Sequence, residues 1–470
     1  MKISKKIISA MALASCLCFG NMETSAEPIP ISGIVEGFYG RPWTHENRID
    51  MIKFCGAHGF NAYIYAPKDD PYHRAKWREP YPEEKLKELT ELVKVSKENG
   101  VKFIFALSPG LDYKTEEYSL MIDKLTAMYD IGVRDFAIFF DDIEDKDATS
   151  QAQVLNMIEG YFVQTHTDIS PLITVPTEYF YLDMVDENKK PKNYTKIFSE
   201  AVNPEISVLY TGNGVVCPGI SDAEYKTASE VYHHRDLGIW WNYPVNDYTL
   251  TSDGERNAKL ALGAIENLPK NEKIPAIFFN PMNFEQLSKI SLATGADYAK
   301  DPENYNPRKS WEKAIEEQFG DLSEEMKIFA DQSQHLENNW AKVGSEDGAE
   351  LRAAFDKLLN SNDAEFEENF KIVEEKLNKI HSATKKLQSK LPKNILSECK
   401  PQLKQLERLV DADMTAMKIL RSRKQEDNKE VKRLENDLRK KLRVIVENDK
   451  TALISQTAAR AFIDKVLNLL

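Results

Sequence analysis

Eight short runs of apolar residues recur between residues 31 and 279, and amphipathic stretches with helical spacing separate most of them. Each run is too short for a helix and rich in aromatic and β-branched residues, so each predicts a buried strand. The predicted strands are residues 31–38, 62–66, 101–107, 136–140, 172–175, 206–210, 237–241 and 274–279. Eight strand–helix units in about 270 residues match a (β/α)8 or TIM barrel. A doubly wound open sheet is the competing fold, but no glycine-rich phosphate turn follows the first run.

A turn-rich segment at residues 301–307 ends this pattern and is the predicted domain boundary. Beyond it, apolar residues recur every three or four positions in three stretches, at residues 366–391, 403–420 and 431–445, with Lys and Glu on the opposite face. Pro392 and Pro401 are expected to break the helices. We therefore predict an α/β fold, with a catalytic TIM barrel over residues 27–300 and an all-α helical bundle over 301–470. The bundle is expected to serve packing, and a partner-binding surface is the alternative.

The first 26 residues have the pattern of a signal peptide. Lys2, Lys5 and Lys6 precede an apolar stretch, and small residues follow it near position 26. An alternative interpretation is a lipoprotein signal with Cys16 as the lipidated residue. Both interpretations predict export, to a secreted or cell-surface location.

The composition excludes several classes of partner. The net charge of −13 argues against nucleic acid and anionic membranes. No stretch after the leader approaches the length of a membrane helix. The three cysteines that follow the leader are widely spaced, so neither a disulfide framework nor a CxxC metal site is indicated.

Polar and aromatic residues gather at the carboxyl ends of the predicted strands, which is where barrel enzymes place their catalytic residues. The fourth strand ends in two adjacent carboxylates, Asp141 and Asp142. A carboxylate there is costly to bury unless it is paired, hydrogen-bonded or used in chemistry. The other strand ends supply amides, phenols, indoles and a lysine. This mixture suits a sugar, because its CH faces lie against aromatic rings and its hydroxyls meet carboxylates and amides.

Two carboxylates that flank a scissile bond are typical of glycosidases. Adjacent residues on a strand point to opposite sides, so Asp141 and Asp142 are poorly placed for an acid and a nucleophile across one ring. They fit substrate-assisted hydrolysis better, in which the sugar's own 2-acetamido oxygen is the nucleophile. One carboxylate then orients the acetamido N–H, and its neighbour protonates the leaving oxygen. The competing interpretations of the pair are a Mg²⁺ or Ca²⁺ site and a helix cap.

Four segments resemble the bacterial O-GlcNAcases of glycoside hydrolase family 84. They are residues 33–43, 63–74, 136–143 and 240–248, and the similarity extends from about residue 31 to about residue 330. The resemblance implies a TIM-barrel enzyme that removes β-linked GlcNAc with retention through an oxazoline intermediate, without a metal or another cofactor. It also implies GlcNAc-bearing glycoproteins or glycans as partners.

The resemblance assigns a role to each residue that matches a motif. Asp141 resembles the residue that polarises the acetamido group, and Asp142 resembles the general acid/base. Tyr179 resembles a tyrosine that steadies the acetamido group, and Trp240 and Asn242 resemble the wall around it. The residues expected to contact sugar hydroxyls are Gly37 (through its backbone), Lys68, Asp247 and Asn280. Since Trp240 and Trp241 alternate along a strand, at least one of the two is expected to lie in the core.

Three other functions remain open at this stage. The first is an endo-acting hyaluronidase, which an open cleft would favour over a blind pocket. The second is a catalytically silent sugar-binding barrel. The third is a chain whose helical half docks a partner and whose barrel is incidental.

Overall fold

The structure is a computed structural model, and it describes residues 27–110, 112–144 and 146–470. The predicted leader, including Cys16, lies outside the described residues. In the described part of the chain, no helix has both the length and the apolar character needed to cross a membrane.

Eight parallel strands close into a barrel in chain order, and this confirms the predicted TIM barrel. All eight predicted strands are present and differ from the predicted bounds only by a few residues at their ends. The strands are β1 (Ile31–Glu36), β2 (Ala62–Tyr65), β3 (Lys102–Leu107), β4 (Asp135–Phe139), β5 (Ile173–Val175), β6 (Ser207–Tyr210), β7 (Gly238–Trp241) and β8 (Ala276–Phe279).

The helices of the barrel follow the strands, with one exception. They are α1 (His45–His58), α2 (Glu83–Glu98), α3 (Tyr118–Asp130), α4 (Ala148–Tyr161), α5 (Tyr181–Met184), α6 (Asn193–Ala201), α7 (Asp222–Val231) and α8 (Glu285–Lys300). Residues 242–275, which are all described, connect β7 to β8 without a helix. Seven of the eight expected strand–helix units are therefore present. In the remaining one, a long loop takes the place of the helix between β7 and β8.

The strands alternate their side chains between two apolar layers, as the pleat of a strand requires. Small and branched residues with Phe139, Phe278 and Trp240 fill the barrel interior. Trp241 packs in the outer layer between strands and helices. The expectation that one of the two tryptophans lies in the core is therefore confirmed, and Trp240 is left free to face the end of the barrel.

The rest of the chain is helical, as predicted, apart from one small hairpin. Its helices are α9 (Pro307–Phe319), α10 (Ser323–Asp331), α11 (Ala349–Leu359), α12 (Phe366–Lys390), α13 (Lys393–Lys424), α14 (Asn428–Asn448) and α15 (Ala461–Asn468). The hairpin pairs β9 (Leu336–Glu337) with β10 (Lys342–Val343), although no strand was predicted after residue 301.

One predicted helix break is wrong. Pro392 lies between α12 and α13 as expected, but Pro401 lies inside α13 and the helix continues through it. A proline removes one backbone hydrogen bond from a helix interior. Here the buried stripe of Leu403, Leu406 and Val410 directly follows the proline, and its packing offsets that loss.

The helical region holds the long loop of the barrel in place. The backbone N–H of Leu453 and the side-chain amide of Gln402 both donate to the carbonyl of Ala258, at 2.9 and 2.8 Å. Lys259 and Asp347, both buried, form an ion pair at 2.8 Å. The loop between β7 and β8 is thus fixed by contacts that come from outside the barrel.

Asp413 in α13 is fully buried, and neither of its carboxyl oxygens has a hydrogen-bond partner among the described residues. Burial raises its pKa well above the ordinary value of 3.8, and the charge of Arg460 opposes the shift. A raised pKa means that the folded chain holds a proton which the unfolded chain releases. The free energy of unfolding therefore falls as the pH rises above about 4.

We predict that Asp413→Asn, which resembles the neutral acid in shape, raises the free energy of unfolding at pH 8 by about 1–3 kcal/mol. The gain should shrink towards zero as the pH approaches 4. Denaturant unfolding across this pH range measures both effects. Asp411→Asn is the control, because Asp411 lies on the same helix but is exposed beside Lys441. A gain that is equal at both pH values would contradict the prediction.

Candidate active site

The two aspartates lie in a turn just beyond β4, and the preceding residue is firmly held. The N–H of Phe140 donates to the carbonyl of Val175, and the hydroxyl of Thr177 donates to the carbonyl of Phe140, both at 2.9 Å. Asp142 has a φ of 55°, in the left-handed region that aspartate tolerates better than most residues. The turn leaves Asp141 largely buried, with 12% of its side chain exposed, while Asp142 is 37% exposed.

Lys68 reaches the pair from the loop that follows β2. Its ammonium lies 3.1 Å from Oδ2 of Asp141 and 3.8 Å from Oδ2 of Asp142. Burial alone would lower the pKa of Lys68, but Asp141, Tyr39 and Asp142 outweigh burial and raise it. Lys68 therefore keeps its positive charge and compensates the buried Asp141 carboxylate.

The loop that carries Lys68 is built on buried polar contacts. The two ring nitrogens of His73 lie 2.7 Å from the carbonyl of Pro67 and 3.1 Å from that of Ala106 on β3. Burial lowers the pKa of His73 to about 4. Asp70 accepts from the phenols of Tyr65 and Tyr81 at 2.8 and 2.9 Å, so its carboxylate is part of the structure of this loop.

Two phenols donate to Asp142. The hydroxyl of Tyr39 lies 3.0 Å from Oδ2 and that of Tyr179 lies 3.0 Å from Oδ1. Burial raises the pKa of both phenols, and Asp142 raises each further, although Lys68 acts against the shift in Tyr39. Both phenols therefore keep their protons and can act as donors.

A network of amides lies across the cavity from this pair. The indole N–H of Trp240 and the amide of Asn280 both donate to Oδ1 of Asn242, at 2.8 and 3.0 Å. The amide of Asn242 in turn donates to the carbonyl of Val215 at 2.8 Å. Oδ1 of Asn280 is buried without a hydrogen-bond partner among the described residues, so it can accept a ligand hydroxyl.

Gly37 lies against the indole of Trp240. A Cβ atom at this position would stand 2.5 Å from Cζ2 of the indole. Any larger residue would push Trp240, and with it the Asn242 amide, out of place.

Asp247 lies on the long loop after β7 and is held from two sides. Its Oδ2 accepts the backbone N–H of Tyr39 at 2.6 Å, and the guanidinium of Arg256 donates to its backbone carbonyl at 2.7 Å. Burial raises the pKa of Asp247, while the N–H of Tyr39 and the charge of Arg256 oppose the shift. Tyr39 thus touches Asp247 with its backbone and Asp142 with its phenol.

These groups surround one cavity of about 220 Å³ at the carboxyl ends of the strands. All nine residues singled out from the sequence line it: Gly37, Lys68, Asp141, Asp142, Tyr179, Trp240, Asn242, Asp247 and Asn280. The structure therefore brings the predicted set together, and their individual roles stay predictions.

Nine lining residues were not among the predicted site residues, and four of these carry an aromatic ring or a charge: Tyr39, Tyr248, Arg256 and Trp340. Tyr39 and Tyr248 stand inside motifs that the sequence had already marked, so a signal for them existed. Arg256 has no neighbouring motif. Trp340 comes from the turn of the β9–β10 hairpin, and its half-exposed indole lies 5.5 Å from the ring of Tyr248.

Within the described parts of the chain, no group of three or more His, Cys, Asp or Glu side chains is arranged to hold a metal ion. A cation site is the competing interpretation of Asp141 and Asp142. Among the described residues, no further side chain of these types joins the pair to complete such a site. The partner of Asp141 is an ammonium instead.

A TIM barrel with paired carboxylates at the carboxyl ends of its strands is typical of glycoside hydrolases. Residues 32–331 match the family model of beta-N-acetylglucosaminidase, and residues 350–463 match that of the hyaluronidase post-catalytic domain-like region. The chain therefore belongs to the β-N-acetylglucosaminidases of glycoside hydrolase family 84, and the predicted resemblance is confirmed.

Individual relatives agree with this assignment. The Protein O-GlcNAcase of Rattus norvegicus is 35% identical over 235 residues, and that of Mus musculus is 35% identical over 232 residues. Each match covers 46% of this chain but spans a quarter of the length of the relative.

Two solved structures resemble a larger part of the chain. The structure of CpGH84B has a TM-score of 0.87 and 39% identity, and the match covers 94% of this chain and 77% of that one. A mutant of the Thermobaculum terrenum O-GlcNAc hydrolase has a TM-score of 0.81 and 28% identity, with coverage of 93% and 94%.

We predict that Gly37→Ala lowers kcat/KM on an aryl GlcNAc glycoside by about a hundredfold, because the added methyl group displaces Trp240 and Asn242. Circular dichroism and thermal unfolding should show that the chain still folds. Gly160→Ala is the control, because a Cβ there meets no atom within 4 Å. Equal activity of the two variants would show that the close contact has no role in the site.

Proposed function

We propose that this protein is a retaining exo-β-N-acetylglucosaminidase that removes terminal GlcNAc, including O-GlcNAc on Ser or Thr of glycoproteins. One observation carries the proposal. The adjacent aspartates occupy different surroundings, because Asp141 is buried against Lys68 while Asp142 stands at the mouth between two phenols. Substrate-assisted hydrolysis needs this division of roles.

Asp141 orients the nucleophile in this proposal. Its carboxylate, which lies 3.1 Å from the ammonium of Lys68, accepts the acetamido N–H of the sugar and turns the acetamido oxygen towards the anomeric carbon. Since this oxygen belongs to the substrate, the protein needs no carboxylate to act as the nucleophile on the opposite face of the sugar ring.

Asp142 moves the proton. In the first step the acetamido oxygen bonds to the anomeric carbon, the glycosidic bond breaks, and Asp142 gives its proton to the leaving oxygen. In the second step water attacks the anomeric carbon of the oxazoline and gives a proton back to Asp142, while the bond between this carbon and the acetamido oxygen breaks and restores the acetamido group. Two inversions at one carbon restore the β configuration. The greater exposure of Asp142 supports this role, because the leaving group and the water both arrive from solvent.

The far end of the cavity supports exo action. Asp247 and Oδ1 of Asn280 are placed to accept hydroxyl groups, and Tyr39 and Arg256 tie Asp247 down. The cavity volume of about 220 Å³ suits one sugar unit. A cavity of this size disfavours endo-acting hyaluronidase activity, and the presence of both aspartates with the supporting amides argues against a silent binding barrel.

We also propose that the chain is exported. The support is the basic and then apolar pattern at its start, and GlcNAc-bearing glycans would then be met outside the cytoplasm.

We predict that the protein releases the aglycone from an aryl 2-acetamido-2-deoxy-β-glucoside but not from the matched aryl β-glucoside. Asp141→Asn should lower kcat by about a hundredfold or more, because the acetamido group loses its charged acceptor. Asp142→Asn should be most harmful for poorly activated leaving groups, because these depend on the donated proton. Initial rates with a series of substituted phenols measure both effects.

The control is Glu144→Gln, which removes an exposed neighbouring carboxylate and should keep full activity. Equal turnover of the two sugars would reject the acetamido nucleophile. A folded protein that binds the sugar without hydrolysing it would reject the enzyme altogether.

A further inference from the structure

A second cavity, of about 510 Å³, opens beside the catalytic one on the same face of the barrel. Its walls come from the loops after β1 and β8, the loop between β7 and β8, and helix α13. Arg256 lines both cavities, so they are neighbours. Because β8 and β1 lie opposite β4 in the barrel, the second cavity is on the far side of the site from Asp141 and Asp142.

Three residues that line this cavity each carry a buried amide oxygen without a hydrogen-bond partner among the described residues. Gln402 is 2% exposed, and its amide donates to the carbonyl of Ala258, which leaves Oε1 without a partner among the described residues. Oδ1 of Asn257 and Oδ1 of Asn283 are also buried without a partner among the described residues, and Asn257 as a whole is 7% exposed. A buried acceptor without a partner costs free energy, so these three oxygens favour a ligand that brings hydrogen-bond donors.

Donors complement these acceptors. Arg41 lies exposed at the edge, with no ion-pair partner among the residues that the structure describes. Arg256 adds a second guanidinium, of which one nitrogen is used by the Asp247 carbonyl. Arginine nitrogens only donate and amide oxygens only accept, so a ligand that satisfies both kinds of group must offer donors and acceptors together.

The cavity is rigidly built. Glu398 of α13 accepts the backbone N–H groups of Gln286 and Leu287, at 3.1 and 2.9 Å, and so fixes the helical region to the start of α8. Gly40 has a φ of 109°, and a Cβ there would stand 2.6 Å from Nδ2 of Asn257. A glycine at this position therefore allows Asn257 to line the cavity.

We propose that this second cavity binds a saccharide unit, separate from the one in the catalytic cavity. A sugar hydroxyl both donates and accepts, so a row of hydroxyls meets the amide oxygens and the guanidinium nitrogens at once. The ring faces of the sugar can lie against Phe284, which also lines the wall. The site anchors a neighbouring sugar on a densely glycosylated substrate, a role that rests on the proposed function. Two linked contacts of this kind raise the affinity for multivalent glycans well above that for a single sugar.

The test counts binding events for the trisaccharide of β-1,4-linked GlcNAc by calorimetry, using the Asp141→Asn chain so that the ligand survives. Two events per chain are expected. Ser397→Trp, introduced into this variant, fills the cavity from an exposed position on α13 and should abolish one event. Arg41→Ala should weaken the same event by about tenfold or more, because a charged donor is lost.

The matched control is Ser389→Trp in α12. Ser389 is exposed and donates to a carbonyl three residues earlier, as Ser397 does, but it lies outside the cavity. This control should keep both events, and Ser397→Trp alone should hydrolyse a simple aryl GlcNAc glycoside normally. A single event in the Asp141→Asn chain, or two events that survive Ser397→Trp, would overturn the site. If no variant hydrolyses the aryl glycoside but both events are present, the proposed function fails and the second site stands.

Discussion

Two carboxylates on consecutive residues repel each other unless the chain separates them and neutralises at least one, and the catalytic face is arranged around this requirement. Lys68 meets Asp141 at 3.1 Å and keeps its own charge because the carboxylates raise its pKa. The left-handed backbone at Asp142 directs the second side chain towards Tyr39 and Tyr179. The result is one buried, charge-compensated carboxylate and one at the mouth of the cavity. The proposed chemistry uses one carboxylate of each kind.

The barrel makes this arrangement rigid. Phe140 extends β4 by one hydrogen bond to Val175, so the turn that holds the aspartates starts from a fixed point. Lys68 depends on a loop that His73 ties to β3, and Asp247 depends on a loop that the helical region braces through Ala258 and Lys259. The helical region therefore contributes to the site through the loop between β7 and β8. This contact gives the region a structural role in the barrel whether or not it also docks a partner.

Much of the site follows from the sequence because parallel strands that close in order bring their carboxyl ends together. Asp141, Tyr179 and Asn280 each follow a predicted strand, and Trp240 lies near the carboxyl end of another, so their convergence is a consequence of the topology. Other features depend on contacts between distant parts of the chain, and local pattern does not encode them. Arg256 lies in a loop without periodicity, and Trp340 arrives from a hairpin beyond the predicted boundary. Helix α13 continues through Pro401 because tertiary packing outweighs the loss of a single backbone hydrogen bond.

The central claim is that the substrate supplies its own nucleophile, and replacing the acetamido methyl group with mono-, di- and trifluoromethyl groups tests it most directly. Each fluorine withdraws electrons from the acetamido oxygen and weakens it as a nucleophile, while the leaving group stays the same. If the claim is correct, kcat/KM on the aryl glycosides falls steeply with every added fluorine. A rate that is independent of fluorination would contradict it, and the nucleophile would then have to be a side chain of the protein or a water molecule.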